Sequence, residues 1–599
     1  MGRRPAFAAL ALLAASAAAA GCSERARPAA AAPAASAARP APTPLARAPV
    51  VVTIVVDQLA AWIADERLPL LPPGGGFARL VREGTYVREA RFEHAVTDTG
   101  PGHAALYTGA TPRETGVYAN EIVLTGSGRR SSALADPATK LVGPAGPVAG
   151  AGSSPARLRA ETLADRLKAS APAATVVSLS LKDRGAIPGG GRRPDAVLWF
   201  DSAAGSFVTS TAFAPQFPAW ASRLAKPGAL AAGPAGVWAP LEPAWLSART
   251  PLPDEQAGEG NWLGLGTTFP HRLGASSNPA TAYRATPFGD DDLLALGLAA
   301  LEAPRAPGDA PFLLALSLSS HDYVGHVYGP DSWEAWDELA RLDRALGSFL
   351  SALDARFGAA GYAVLVTGDH GSAPTPEAAP ALQRGCGAAD YWQRPCAGGG
   401  RLSPDGLADE LKKAAERALG AGAWVLNVAE PYVVLGDQAR ALPPLRRSVL
   451  DAALREAMSR HRESAGLVAV DELGGACPPP GDESLKALLC RSVPARDAGA
   501  PASAGGEAER GARLAGDYYV VFEPGGYFEA YTPGKGSNHG SHYLYDRSVP
   551  LLVRAPGRAR AGARIEGPVP FSAFVRTAAE LLGVEPPSSA RPAPSLLGR

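Results

Sequence analysis

Three short apolar runs, each closed by acidic or imidazole side chains, constrain this chain more than any other feature. Val50 to Val56 reads VVVTIVV and ends at Asp57. Phe312 to Leu318 reads FLLALSL and ends at Ser319-Ser320-His321-Asp322. Tyr362 to Thr367 reads YAVLVT and ends at Gly368-Asp369-His370. Runs without polar alternation fit strands buried on both faces, as in a parallel sheet. Helical segments separate them: Asp290 to Leu301 precedes the second run. Trp333 to Phe357 fills the crossover to the third, with Leu339, Leu342, Leu346, Leu350 and Leu353 at helical spacing. The expected fold class is therefore α/β, a mostly parallel central sheet flanked by helices. Sheets of this kind place their sites at the carboxyl ends of the strands.

Two segments interrupt the alternation and are expected as inserts. The first, about 120–283, is rich in Gly, Pro and Trp. The second, about 374–517, carries helical patterns at Ser403–Leu419 and Leu445–His461 and short strands at Ala423–Val428 and Tyr432–Leu435, the look of a small α+β subdomain. Val549 to Val553 then returns to the main sheet, and Phe571 to Leu582 forms a closing helix. No internal repeat is present.

The N-terminus reads as a targeting segment. Met1-Gly2-Arg3-Arg4 is basic, and Ala6 to Ala20 is apolar but too short for a membrane span. It leads into Ala19-Ala20-Gly21-Cys22, which resembles a bacterial lipobox, with Ala19 where that motif more often has Leu. Cleavage before Cys22 would make residues 1–22 a signal segment and Cys22 a lipid anchor; a plain secretory signal cleaved after Ala-x-Ala is the alternative. Either reading implies export, with the periplasm and the outer membrane as the expected location. Residues 23–49, nearly all Ala, Pro, Arg, Ser and Thr, read as a disordered tether. The remaining 50–599 is long enough for a sizeable core, either one elaborated domain or two. The formal net charge of zero offers no nucleic-acid-binding signature. Beyond Cys22, Cys386, Cys396, Cys477 and Cys490 allow three disulfide connectivities, of which the local pairs Cys386–Cys396 and Cys477–Cys490 are the simplest. The oligomeric state is not readable.

Metal-ligand chemistry is concentrated in a few places. Asp322 and His326, four apart, would share one helix face and bite a single ion. The loop Gly536-Ser537-Asn538-His539-Gly540-Ser541-His542, just before the last core strand, can bring an imidazole over the same sheet edge. Thr97-Asp98-Thr99-Gly100-Pro101-Gly102-His103 places hydroxyls at the mouth of a helix-like run, where backbone N–H groups meet anions. His94, His271 and His461 lack a carboxylate at metal-binding spacing and read as structural. Asp57, Thr99, Asp322, His326, Asp369, His370 and His539 converge on one edge. Oxygen and nitrogen donors without thiolate suit Zn²⁺ or another divalent transition ion. Seven ligands fit two sites better than one, a pairing suited to in-line displacement at phosphorus.

The order of these motifs, from Asp57 to Val553, resembles the alkaline phosphatase superfamily, and within it the threonine-nucleophile, PafA-type bacterial alkaline phosphatases. The resemblance implies an alkaline phosphatase-like fold with inserted cap or subdomain segments, and two bound Zn²⁺. It implies that Asp57, Thr99, Asp369 and His370 hold one zinc and Asp322, His326 and His539 the other. Thr99, immediately before Gly-Pro-Gly-His, would be the nucleophile rather than Thr97. Lys182 and Arg184, in Leu181-Lys182-Asp183-Arg184, match the family's Lys-x-Arg element, and Asn120 its phosphate-contacting asparagine. These three would favour phosphate monoesters, whose transition state carries more charge than a diester's. The implied activity is hydrolysis of small-molecule phosphate monoesters through a phosphothreonine intermediate. A phosphodiesterase or nucleotide pyrophosphatase of the same superfamily would share Thr99 and the metals but lack the Lys/Arg clamp. A sulfatase fits less well, because Thr-Gly-Pro-Gly-His stands where that family has Cys/Ser-x-Pro-x-Arg. A non-catalytic lipoprotein retaining the fold is the remaining alternative.

Overall fold

The Val50–Val56 strand is buried along its whole length and has parallel partners on both sides. Its register runs from Val50 opposite Phe312 to Val56 opposite Leu318, and from Val50 opposite Tyr362 to Val55 opposite Thr367. The three apolar runs are therefore the centre of one sheet and end level with one another. The computed structural model describes residues 50–231, 234–303, 310–382, 390–396, 399–495, 512–513 and 515–598. The expected signal segment, Cys22 and the tether of residues 23–49 lie outside these, as does Cys386.

Around that centre, Thr175–Ser180 and Ala196–Asp201 extend the parallel block beyond Phe312–Leu318. Antiparallel strands flank it: Ser206–Ser210 on one side and Ser548–Arg554 on the other. In all, 12 strands form the main sheet. Within the stretch expected as the first insert, Thr175–Ser180 (TVVSLS) is thus a core strand. Its threonine and two serines hide it from a search for apolar runs. Because Ser548–Arg554 runs antiparallel, its amino end lies at the carboxyl edge of the parallel strands. That direction is what brings the loop before it to the site edge.

Helices cover both faces. Trp333–Phe357 buries Leu339, Leu342, Leu346, Leu350 and Leu353 against the sheet, and its first turn is capped by Ser332, whose Oγ accepts from Ala335 N–H at 3.1 Å. Ala573–Leu582 and Thr99–Thr108 pack on the opposite face, against Val51, Val55, Leu313 and Leu365. Truncating one of these leucines to Ala would cost roughly 2–5 kcal/mol, since the core has little room to collapse. The second insert has a core of its own. Strands Val425–Ala429, Tyr432–Leu435, Tyr518–Phe522 and Ser464–Ala469 form an antiparallel sheet that buries Leu411, Leu450 and Leu454 from helices Pro404–Leu419 and Pro444–Met458. Cys477 and Cys490 are disulfide-linked, with Cα atoms 5.6 Å apart. Among the described residues no helix is long and apolar enough to cross a membrane.

Candidate active site

Each core strand delivers its terminal residue to the same edge. Asp57 follows the first strand, and its N–H donates to Leu318 carbonyl at 2.9 Å. Asp369 and His370 follow Tyr362–Thr367. The strand Phe312–Leu318 leads into helix Ser320–Tyr328, which places Asp322 and His326 one turn apart. The geometry sorts the acidic and imidazole groups into two buried clusters, Asp57 with Asp369 and His370, and Asp322 with His326 and His539. His370 Nε2 lies 3.3 Å from Asp57 Oδ1 and 3.6 Å from Asp369 Oδ2. His326 Nε2 lies 3.0 Å, and His539 Nε2 3.6 Å, from Asp322 Oδ1.

The histidine tautomers bear directly on metal binding. His370 Nδ1 lies 3.0 Å from Gly371 carbonyl, His326 Nδ1 2.9 Å from Ser537 carbonyl, and His539 Nδ1 2.6 Å from Thr97 carbonyl. A ring nitrogen facing a carbonyl must carry the proton, so in the neutral rings all three Nε2 atoms present lone pairs. Those lone pairs face carboxylate oxygens, and buried His370 Nε2 has no hydrogen-bond partner. Acceptors facing acceptors in a dry site require a cation or a proton, and imidazole oriented through its other nitrogen is the usual second shell of a metal ligand. The donor set therefore fits two divalent ions.

Electrostatics agree. Burial and the nearby Asp322 carboxylate push the Asp57 carboxyl up, but the Lys182 ammonium and His370 outweigh them and hold it well below the usual range. Burial pushes His539 down, while the carboxylates of Asp322 and Asp98 carry it well above an ordinary imidazole. Lys182 stands between the clusters, its Nζ 2.6 Å from Asp57 Oδ2 and 2.5 Å from Asp322 Oδ2.

Thr99 opens helix Thr99–Thr108, with its Oγ1 3.2 Å from Lys182 Nζ and 3.5 Å from Asp57 Oδ1. Two glycines make the approach possible. A Cβ on Gly102 would stand 2.5 Å from Asp369 carbonyl oxygen, so only glycine lets the helix mouth seat against that strand end. A Cβ on Gly536 (φ +71°) would stand 1.9 Å from His326 carbonyl oxygen, so only glycine lets the His539 loop cross the helix. Thr97 faces away: its hydroxyl donates to Ser541 carbonyl. Gly100 N–H is taken by Asn120 Oδ1 at 2.8 Å rather than left open for an anion. Thr99, Asn120, Lys182, Arg184, His326 and His539 all line a cavity of about 620 Å³. All ten sequence-nominated site residues thus gather at one edge, in the clusters or along this cavity. The three histidines set aside are elsewhere; His271, for instance, pairs with Glu334.

A family model described as type I phosphodiesterase / nucleotide pyrophosphatase matches residues 51–394, more than half of the chain. The chain belongs to the type I phosphodiesterase / nucleotide pyrophosphatase family. Alkaline phosphatase PhoV of Synechococcus elongatus is 33% identical over 345 residues, 56% of this chain and 61% of that protein. Alkaline phosphatase PafA of Elizabethkingia meningoseptica is 32% identical over 336 residues, 55% of this chain and 60% of that protein. The matched region thus spans about three fifths of the length of these curated relatives. The crystal structure of wild-type PafA superposes with a TM-score of 0.75 at 23% identity, covering 92% of this chain and 99% of that one. The chain is thus similar to PafA-type alkaline phosphatases and has the alkaline phosphatase-like α/β fold.

Several residues of this family member's site carried no sequence signal. Gln58, with φ +67°, donates from Nε2 to Asp322 Oδ1 at 2.9 Å, and its N–H donates to Asp369 Oδ1 at 3.1 Å, so it ties the two clusters together. His103 Nδ1 sits 3.0 Å from Asp369 Oδ2 and its Nε2 2.9 Å from Ser317 Oγ. Glu430, from the second insert, reaches the cavity and receives a hydrogen bond from Asn538 Nδ2 at 3.4 Å. Burial and then the Asp98 carboxylate push its carboxyl up to about 8. Only its position in the folded subdomain could reveal it.

Proposed function

We propose that this protein is an exported, metal-dependent alkaline phosphatase that hydrolyses phosphate monoesters through a phosphothreonine intermediate. The observation that carries this reading is the Thr99 hydroxyl beside Asp57 of one Asp/His cluster and 3.2 Å from the ammonium of buried Lys182, which touches a carboxylate of each cluster. Asp57, Asp369, His370 and Thr99 would hold one Zn²⁺, and Asp322, His326 and His539 the other. When bound, the two ions would supply Lewis-acid charge to the reacting phosphoryl group.

The protein's own groups account for the rest. Thr99 Oγ1, at the positive end of its helix, attacks phosphorus while the bond to the alcohol oxygen breaks. Lys182 and Arg184, with Asn120, face the non-bridging oxygens, where charge is greatest for a monoester. Water then breaks the bond between phosphorus and Thr99, releasing phosphate and restoring the hydroxyl. Walls that bury both clusters exclude bulk water and strengthen every charge interaction at the site.

The test compares an aryl phosphate with its methyl diester on metal-replete protein. Faster monoester turnover is expected; faster diester turnover would make the protein a phosphodiesterase or nucleotide pyrophosphatase, in line with the name of its family model. Metal analysis of protein prepared without chelator should find two zinc ions per chain, and none would favour a non-catalytic role. For localisation, Cys22→Ala should move the protein from the membrane fraction to the soluble periplasmic fraction. An unchanged distribution would remove the lipid anchor from the proposal.

A further inference from the structure

The cavity is electrically divided. On its floor, Lys182 and Arg184 stand beside Thr99; on its rim, Glu121, Glu430 and Glu529 line it. Other rim charges are matched, since Arg130 is ion-paired to Asp405. Among the described residues no ion pair engages the three glutamates. Glu430 receives only the Asn538 amide at 3.4 Å, and Glu529 Oε2 only Gly534 N–H at 3.0 Å.

Their placement is built into the packing. Glu430 sits in the turn between Val425–Ala429 and Tyr432–Leu435, and Glu121 opens strand Glu121–Leu124. Val123 packs with Ala429 and Val434, which locks those two turns side by side. Glu430 touches Asn538, the neighbour of His539. Glu529 precedes Tyr531 by two residues, and the Tyr531 ring lies 5.2 Å from that of His326. All three carboxylates therefore stand on the Asp322, His326 and His539 side. Thr99 stands 3.5 Å from Asp57, a member of the other cluster. An in-line displacement begun at Thr99 expels the alcohol away from Asp57, toward the glutamates.

We infer that Glu121, Glu430 and Glu529 form a leaving-group subsite that selects monoesters of cationic alcohols, such as amino or quaternary-ammonium alcohols, and rejects esters bearing a second anion. This rests on the phosphatase reading above. Like charges across a cavity cost association and like-charge juxtaposition is the usual means of excluding a wrong partner.

The experiment uses the metal-replete full chain at about pH 9.5, where carboxyl groups are ionised. It compares kcat/KM for phosphocholine, phosphoglycolate and phenyl phosphate. Phosphocholine should exceed phosphoglycolate by about tenfold at low salt, and the ratio should shrink as added salt screens the rim. Glu430→Gln and Glu121→Gln should each reduce the ratio by roughly threefold, a readout that a general loss of activity does not move. A ratio near one, or a ratio unchanged in both variants, overturns the subsite. If phenyl phosphate itself is not hydrolysed, the phosphatase reading fails first and the subsite falls with it.

Discussion

The two Asp/His clusters are built differently. Asp57, Asp369 and His370 stand on the ends of two strands paired in register, and all three are completely buried. Gln58 N–H fixes Asp369 Oδ1, and Gly371 carbonyl orients His370. The other cluster combines a helix with a loop that arrives from more than two hundred residues downstream. Its histidines retain 6% and 5% exposure, and His539 depends on contacts made by its own loop. One cluster inherits its rigidity from the sheet, while the other owes its shape to loop packing. Precision is greatest where the supporting element is itself buried. The sheet-borne cluster is thus the natural place for attack, and the loop-borne one the natural place for variation.

The largest expected effect tests that division at the nucleophile. Thr99 belongs to the sheet-borne cluster through its hydroxyl. Thr97 serves the other through its backbone carbonyl, which holds His539 at 2.6 Å, while its hydroxyl only ties the same loop at Ser541 carbonyl and reaches no cluster residue. Thr99→Ala should lower turnover by roughly 10³-fold or more and abolish trapping of labelled phosphate on the protein. Thr97→Ala keeps the carbonyl and should change turnover only slightly. Labelling retained in Thr99→Ala and lost in Thr97→Ala would reverse the assignment.

Next in size is Lys182, which touches a carboxylate of each cluster. Lys182→Ala should cost monoester hydrolysis roughly 2–4 kcal/mol, the scale of losing one transition-state donor, and diester hydrolysis much less. Equal losses would mean that Lys182 acts by holding the clusters together rather than by contacting phosphate. The same comparison for Arg184→Ala separates the two roles. Arg184 contacts neither cluster, so it should show the selectivity without the structural penalty.

The same asymmetry explains what could be read from the chain. The strand ends were legible because apolar runs without polar alternation announce buried strands, and the residues after them must emerge at one edge. Helix spacing by itself puts Asp322 and His326 on one face. The strand leading to Lys182 was not legible as core, because TVVSLS is half hydroxylated. Its serines are satisfied internally, Ser178 Oγ donating to Ala186 carbonyl and Ser180 Oγ to Ser317 Oγ. Gln58, His103 and Glu430 act through contacts across 108 to 311 residues, which neither period nor motif encodes. The rim is the least legible part, since its acids come from separate segments that only packing brings together.

The smallest expected effect is the most direct probe of the loop-borne cluster. Asn538 braces that loop: its Nδ2 donates to Phe528 carbonyl at 2.8 Å, and its Oδ1 accepts from His539 N–H at 2.9 Å. Neither contact reaches Asp57, Asp369 or His370. Asn538→Ala leaves the three donors of the second cluster in place but loosens the imidazole that completes it. Removing such an outer-shell support typically weakens metal binding by about 10–100-fold. Competition with a chelator should therefore release one metal equivalent at lower chelator concentration in the variant, with release of the other unchanged. If both equivalents shift together, the two sites are rigidly coupled, and Gln58, which bridges Asp322 and Asp369, becomes the element that couples them.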